Sequence, residues 1–129
     1  DIPPIYVDVC HNNHAALQLL IELKNLKIRY KKKIIAIFNI QKNKEYKKIF
    51  QTLSEIIDFW KIPIINDESF MFNNNSSKKF LNKKNISYGH TLENILKLVL
   101  SKKTDSIYII FGSFTIVSAT LSFLNYGRK

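Results

Sequence analysis

Apolar positions recur along the chain in two periods, and the switches between them mark out its elements. Ile5 to Val9 is apolar and β-branched and reads as a strand. From His14 to Leu26, Ala16, Leu19, Leu20, Leu23 and Leu26 fall at helical spacing, with Asn12 or Asn13 placed to cap. Ile34 to Phe38 is continuously apolar, as expected of a strand covered on both faces in a parallel sheet. Asn39 to Asn43 reads as a loop. The stripe Tyr46, Ile49, Phe50, Leu53, Ile56, Ile57 and Trp60 predicts a helix from Glu45 to Trp60. Ile62 to Ile65 follows as a third strand, and Pro63 makes it an edge or a strand start. Met71 to Ser77 reads as loop, Ser77 to Leu81 as a short helix, and Ile86 to Tyr88 as a short strand. Thr91 caps a helix through Leu100, with Leu92, Ile95, Leu96 and Val99 turned inward. Ser106 to Phe111 is another buried strand, broken at Gly112. Ser113 then caps a last helix to about Leu124, apolar on most sides and so expected to be well covered.

Strands alternate with helices, which predicts an α/β fold: a Rossmann-like, mostly parallel sheet with helices on both faces. The 129 residues suit one domain with one core. No repeat of about 20–50 residues is visible. No apolar run is long enough to span a bilayer, and no signal-peptide pattern opens the chain. A single cysteine fits a reducing, cytoplasmic setting. The opening Asp1-Ile2-Pro3-Pro4 reads as the joint of a larger protein.

Charge adds a second function class. Net charge is +10, from 20 basic and 10 acidic residues, which suits a basic nucleic-acid-binding module. Yet Lys, Asn and Ile are abundant together, as A/T-rich codon usage would make them. Only Lys27 to Lys33 forms a dense block, and neither an RNA-binding aromatic signature nor a helix-turn-helix is present. An anionic small-molecule ligand gains from the same field.

In open α/β sheets, ligands bind beyond the carboxyl ends of the strands. Three strand ends here carry polar residues: Asp8 to Asn12, Asn39 to Lys44, and Gly112-Ser113. In a parallel sheet all three lie along one rim. Asp8 can accept two hydroxyl protons at once, as a ribose diol requires, or cap the following helix turn. His11 can bond an anion or a carboxylate, or be satisfied by backbone. Ser113 and its N–H stand at a helix start, either as an anion site or as a plain cap. Lys44 either reaches an anion across the rim or is solvated. Cys10, His11 and His14 fall short of a structural zinc site, which needs four ligands, His90 being the one remaining histidine. Cys10 and His11 point to opposite faces if the strand continues, so Cys10 reads as a small buried residue rather than a nucleophile. With glycines only at 89, 112 and 127, no G-x-x-x-x-G-K-[ST] loop exists to cradle a triphosphate.

At Asp8-Val9-Cys10-His11-Asn12-Asn13-His14-Ala15-Ala16 the chain resembles the D-x-A-H-N-P-x-A-A motif of the folylpolyglutamate synthase/dihydrofolate synthase family, within the Mur ligase superfamily. Ala36 to Glu45 resembles that family's A-V-[IF]-G-M-L-x-D-K-D, and Phe111 to Val117 its C-G-S-F-x-T-V. A helix carrying Asp58-Phe59-Trp60 also fits. The resemblance covers nearly the whole chain and is nearest the bifunctional bacterial enzymes. It departs at Cys10 and Asn13, at Asn39-Ile40-Gln41 for Gly-Met-Leu, at Asn43 for Asp, and at Ile116 for Thr.

The resemblance implies that residues 1–129 are a Mur ligase-type C-terminal domain whose ATP-binding, P-loop domain lies outside this chain. It implies an ATP- and Mg2+-dependent ligase that makes an acyl phosphate on dihydropteroate or a folate polyglutamate, then lets L-glutamate attack it. It further implies catalytic roles for His11 and Ser113, and cofactor binding by Asp8, Asn12 and Lys44, with no metal ligand in this domain. The expected partners are those substrates and the chain's own N-terminal domain, in a monomer with no nucleic acid and no membrane. The alternatives are the nucleic-acid module and a non-catalytic remnant of the ligase.

Overall fold

The computed structural model describes residues 4–73, 83–101 and 106–127. Five strands form one sheet: β1 (Ile5–Val9), β2 (Lys33–Asn39), β3 (Phe59–Ile64), β4 (Ile86–Thr91) and β5 (Ser106–Gly112). Four helices are described: α1 (Asn13–Tyr30), α2 (Tyr46–Leu53), α3 (Leu92–Ser101) and α4 (Phe114–Gly127). The strand order is β1-β5-β2-β3-β4, and every pairing is parallel.

The central strands bury both faces, and two apolar layers result. Helices α1 and α2 cover one face, where Leu19, Leu23, Ile49 and Leu53 meet Ala36, Phe38, Trp60 and Phe111. Helix α3 and the start of α4 cover the other, where Ile95, Leu96, Val99 and Ile116 meet Ile37, Tyr108 and Ile110. The helix starts at Asn12, Thr91 and Ser113 are all capped by side-chain oxygens, which accept the N–H groups of Ala15, Asn94 and Thr115.

Four features differ from the sequence reading. Helix α2 stops at Leu53, and Phe59-Trp60 begins β3 instead of ending a helix. The helical stripe looks continuous because the strand delivers its large residue to the same core: Trp60 is fully buried beside Phe38, Phe50 and Phe111. Parallel pairing of Ile35 with Phe59 and Ala36 with Trp60 outweighs local helical preference. Second, Pro63 sits in an interior strand, late in β3. There the pairing with β4 slips between Ile62 and Ile64, and such an irregularity accommodates a residue that cannot donate. Third, β4 runs on to Thr91, three residues past the expected end. Fourth, α4 is less covered than its composition suggests, with Phe114 67% and Leu121 47% exposed. The short helix expected at Ser77 to Leu81, and the loop beyond Asn73, lie outside the described residues.

The basic block falls at the end of α1 and the start of β2. Lys31 terminates the helix in a left-handed conformation, φ 52°, with its N–H bonded to Lys27 O. Lys27 Nζ and the Ile34 N–H both bond Asp58. This end of the sheet is opposite the rim that carries Asp8 and Ser113.

Candidate functional site

Strand order decides where the three polar turns meet. The chain runs outward through β1, β2, β3 and β4, then returns to place β5 between β1 and β2. Neighbours β1 and β5 therefore send their following helices, α1 and α4, to opposite faces of the sheet. Such a reversal opens a crevice beyond the strand ends, where α/β sheets bind ligands. Val9, Gly112 and Asn39 are register partners across it. The Cys10 N–H donates to Gly112 O at 3.2 Å, and the Ser113 N–H donates to Asn39 O at 3.0 Å. Asp8 and Ser113 thus share one edge, as expected.

Gly112 is required for this closeness. Its φ is +118°, and a Cβ there would lie 2.3 Å from Asn39 O. Only a residue without a side chain lets the β5 turn approach β2 so nearly.

Asp8, near the end of β1, is half-buried. Burial pushes its carboxyl above the usual range, and a hydrogen bond from the Val9 backbone offsets part of this. Cys10 is fully buried, and burial followed by the Asp8 charge pushes its thiol up to about 12. A thiol held protonated at neutral pH is no nucleophile. His11 is half-buried, and its buried Nδ1 has no hydrogen-bond partner among the described residues. His14 and His90 are exposed. Among the described residues no three His, Cys, Asp or Glu side chains gather as metal ligands would.

The remaining expected residues divide. Asn12 is exposed, and its Oδ1 takes the Ala15 N–H at 2.8 Å, so its oxygen serves the helix start. Ser113 is fully buried. Its hydroxyl accepts the Thr115 N–H at 3.0 Å and Gln41 Nε2 at 3.3 Å. Its backbone N–H is spent on Asn39, so the capping role is realised and that N–H is not free for an anion. Lys44, in the β2–α2 turn, is half-buried, and among the described residues it has no carboxylate partner.

Two residues of the expected Asn39–Lys44 rim turn take roles that the sequence did not assign. Asn39 is a buried hub: Nδ2 donates to Pro63 O at 2.9 Å and Phe72 O at 2.7 Å, while Oδ1 accepts Ile40 N–H at 2.8 Å and Phe72 N–H at 3.3 Å. It welds the β2 end to the β3 irregularity and to the segment at Phe72. Gln41 links β2 to the α4 start through Ser113, and its buried Oε1 has no partner among the described residues. An asparagine after an apolar run carries no local mark that separates a hub from a loop residue. The orphaned atoms at His11 and Gln41 are the kind of buried polar group that a ligand or a neighbouring domain satisfies, although Trp60 Nε1 and Thr120 Oγ1 are orphaned in the same way elsewhere.

No family model matches the chain. Over 128 aligned residues the chain is 34% identical to the dihydrofolate synthase/folylpolyglutamate synthase of Buchnera aphidicola subsp. Schizaphis graminum, covering 93% of this chain and 28% of that protein. Among solved structures, Escherichia coli FolC in complex with DHPP and ADP superposes with a TM-score of 0.78 at 19% identity, over 95% of this chain and 29% of that one. A bifunctional folylpolyglutamate synthase/dihydrofolate synthase with Mn, AMPPNP and L-glutamate bound gives 0.78 at 20% identity, over 97% and 30%. The structural likeness shows the α/β fold. The chain spans a little over a quarter of the length of the relatives it matches. Over nearly its own whole length it is related to one part of the dihydrofolate synthase/folylpolyglutamate synthases.

Proposed function

We propose that this chain is the C-terminal domain of an ATP-dependent ligase that adds L-glutamate to dihydropteroate, folate polyglutamates, or both. In this reading residues 1–129 form one lobe, and an ATP-binding lobe carried N-terminally in the same polypeptide faces its rim. The protein works as a monomer in the cytoplasm. The observation that carries the reading is the meeting of the Asp8–Asn12, Asn39–Lys44 and Gly112–Ser113 turns at the crevice where strand order reverses. The relatives' names and bound ligands supply the chemistry.

The acceptor's carboxylate attacks the γ-phosphorus of ATP, and ADP leaves, giving an acyl phosphate. The amine of L-glutamate then attacks the acyl carbon; phosphate leaves, and the amine proton passes to a base. When bound with ATP, a divalent ion such as Mg2+ would neutralise phosphate charge, and this reading leaves its ligands mainly to the other lobe. This chain's residues bind and orient. Burial pushes the half-buried Asp8 carboxyl up, and in this reading two ribose hydroxyls donate to it. His11 lines the cleft beside the phosphates and incoming glutamate, where its unpaired Nδ1 finds a partner. Ser113 caps α4 and so acts as a positioning residue for the turn, with Asn12 doing the same for α1. Lys44 brings a cation to the rim. Closure of the two lobes completes the site and excludes water.

Joining the chain to its N-terminal region should yield ATP-dependent glutamate addition that the chain lacks alone. Asp8→Ala in the joined protein should lower kcat/KM by about 100-fold, near 2.7 kcal/mol of transition-state binding. Normal turnover by that variant removes Asp8 from the site, and an inactive joined protein favours the non-catalytic remnant. No observation favours the nucleic-acid module, since the basic block lies at the far end and Lys27 is engaged by Asp58.

A further inference from the structure

After β3 the chain folds back across the carboxyl end of β2. Phe70 and Phe72 anchor this segment, both buried and in different layers: Phe72 packs with the α1–α2 layer and Phe70 with the layer under α3 and α4. Between them the Met71 N–H donates to Ile40 O at 2.7 Å. Phe70 is the antiparallel bridge partner of Gln41, and the Lys42 N–H donates to Ser69 O at 2.8 Å. Residues 67–73 thus form a strap, and Asp67 holds its turn. One Asp67 carboxylate oxygen accepts the Ser69 N–H at 2.8 Å and the Ser69 hydroxyl at 2.7 Å, and the Phe70 N–H donates to Asp67 O at 3.0 Å.

The strap bears on the crevice through Gln41. Its bonds to Ile40 and Lys42 flank that residue, whose own carbonyl accepts the Lys44 N–H at 3.1 Å. From this clamped backbone the Gln41 side chain reaches Ser113 Oγ at 3.3 Å, at the start of α4. Asn39 holds the other end of the strap, at Phe72, so the Asp67 end has Gln41 as its route to Ser113. Gln41 also stands where the family motif has leucine, which cannot make this bond.

We infer that Asp67 and Gln41 are positioning residues for the reaction: the strap fixes the Gln41 backbone, and the Gln41 side chain carries that placement to Ser113 and the start of α4. This rests on the ligase reading and adds to it two residues that touch no substrate. The Gly112–Ser113 turn forms one wall of the crevice, and misplacing such a wall by about 1 Å can cost up to ~100-fold in rate.

The test follows the backbone amide signals of the 129-residue chain by NMR, and glutamate addition by the joined protein. Asp67 is exposed, so Asp67→Ala loosens the strap turn and leaves the core intact. It should move the Ser113, Phe114 and Thr115 signals, and in a Gln41→Leu background it should leave them still. Glu68→Ala, at an exposed neighbour, should not move them in either background. Turnover per folded molecule should fall about fivefold in Asp67→Ala and about tenfold in Gln41→Leu, the scale of one lost hydrogen bond. The double variant should be no slower than Gln41→Leu alone, because both changes break the same linkage, whereas independent losses would add. Ser113 shifts that persist without Gln41 overturn the inference, as do additive losses or unchanged turnover in both single variants. A joined protein that adds no glutamate overturns the ligase reading instead. The signals of the chain alone then decide the strap: coupling lost with Gln41 supports it, and coupling kept overturns it.

Discussion

Asp8 and Asp58 sit near opposite ends of the same sheet and have opposite fates. Asp58 is fully engaged: its carboxylate takes Lys27 Nζ at 2.8 and 3.0 Å and the Ile34 N–H at 2.8 Å. Burial pushes its carboxyl up, but the hydrogen bonds from Lys27 and Ile34, with the charges of Lys27 and Lys33, together hold it below the usual range. Asp8 is pushed the other way, because burial outweighs its one backbone hydrogen bond. The neighbouring rim also carries His11 Nδ1 and Gln41 Oε1, which have no partner among the described residues. The contrast lies between the two carboxylates, since Trp60 Nε1, two residues from Asp58, also lacks a partner among the described residues. An acid that folding satisfies argues for structure, and one that folding strands beside a crevice argues for a ligand.

The contrast can be tested from both sides. The largest effect is expected at Gly112→Ala, where a left-handed backbone and a clash with Asn39 O coincide. It should cost about 3 kcal/mol or more by denaturant melt, showing that the rim has a structural requirement of its own. Asp8→Asn should cripple glutamate addition in the joined protein by about 100-fold while stability holds or rises slightly, because the folded state disfavours the charged carboxylate. Asp58→Ala should do the reverse, costing about 1–2 kcal/mol through the stranded Ile34 N–H, with turnover per folded molecule nearly unchanged. A variant of Asp58 that kept full stability would erase the distinction between the two ends.

The smallest effect is in the pH dependence, and its sign differs between the two acids. Asp58 has a lowered value, so its contribution is present above the ordinary 3.8 and is lost as pH falls through the folded value. Asp8 has a raised value, so its contribution is present below 3.8 and is lost as pH rises through the folded value. Thermal melts across the acid range should therefore show a shallower loss below about pH 4 in Asp58→Asn, and a shallower change just above it in Asp8→Asn.

What the chain declares locally, it declares in its order of residues. Five strands, four helices and the caps at Asn12, Thr91 and Ser113 follow from apolar period and from side chains that bond N–H groups two or three residues away. The turn motifs carried the family resemblance, which the relatives bear out. What the order of residues could not declare depends on contacts far apart. The end of α2 was hidden because Trp60 serves one core from a strand as well as it would from a helix. The central place of Pro63 depends on an irregularity shared with β4, and Asn39 becomes a hub only once Pro63 and Phe72 are packed beside it. Above all, the return of β5 between β1 and β2 is a tertiary choice. Local patterns permit several strand orders, and only the joint burial of both sheet faces selects the one that brings Asp8, Gln41 and Ser113 to a single crevice.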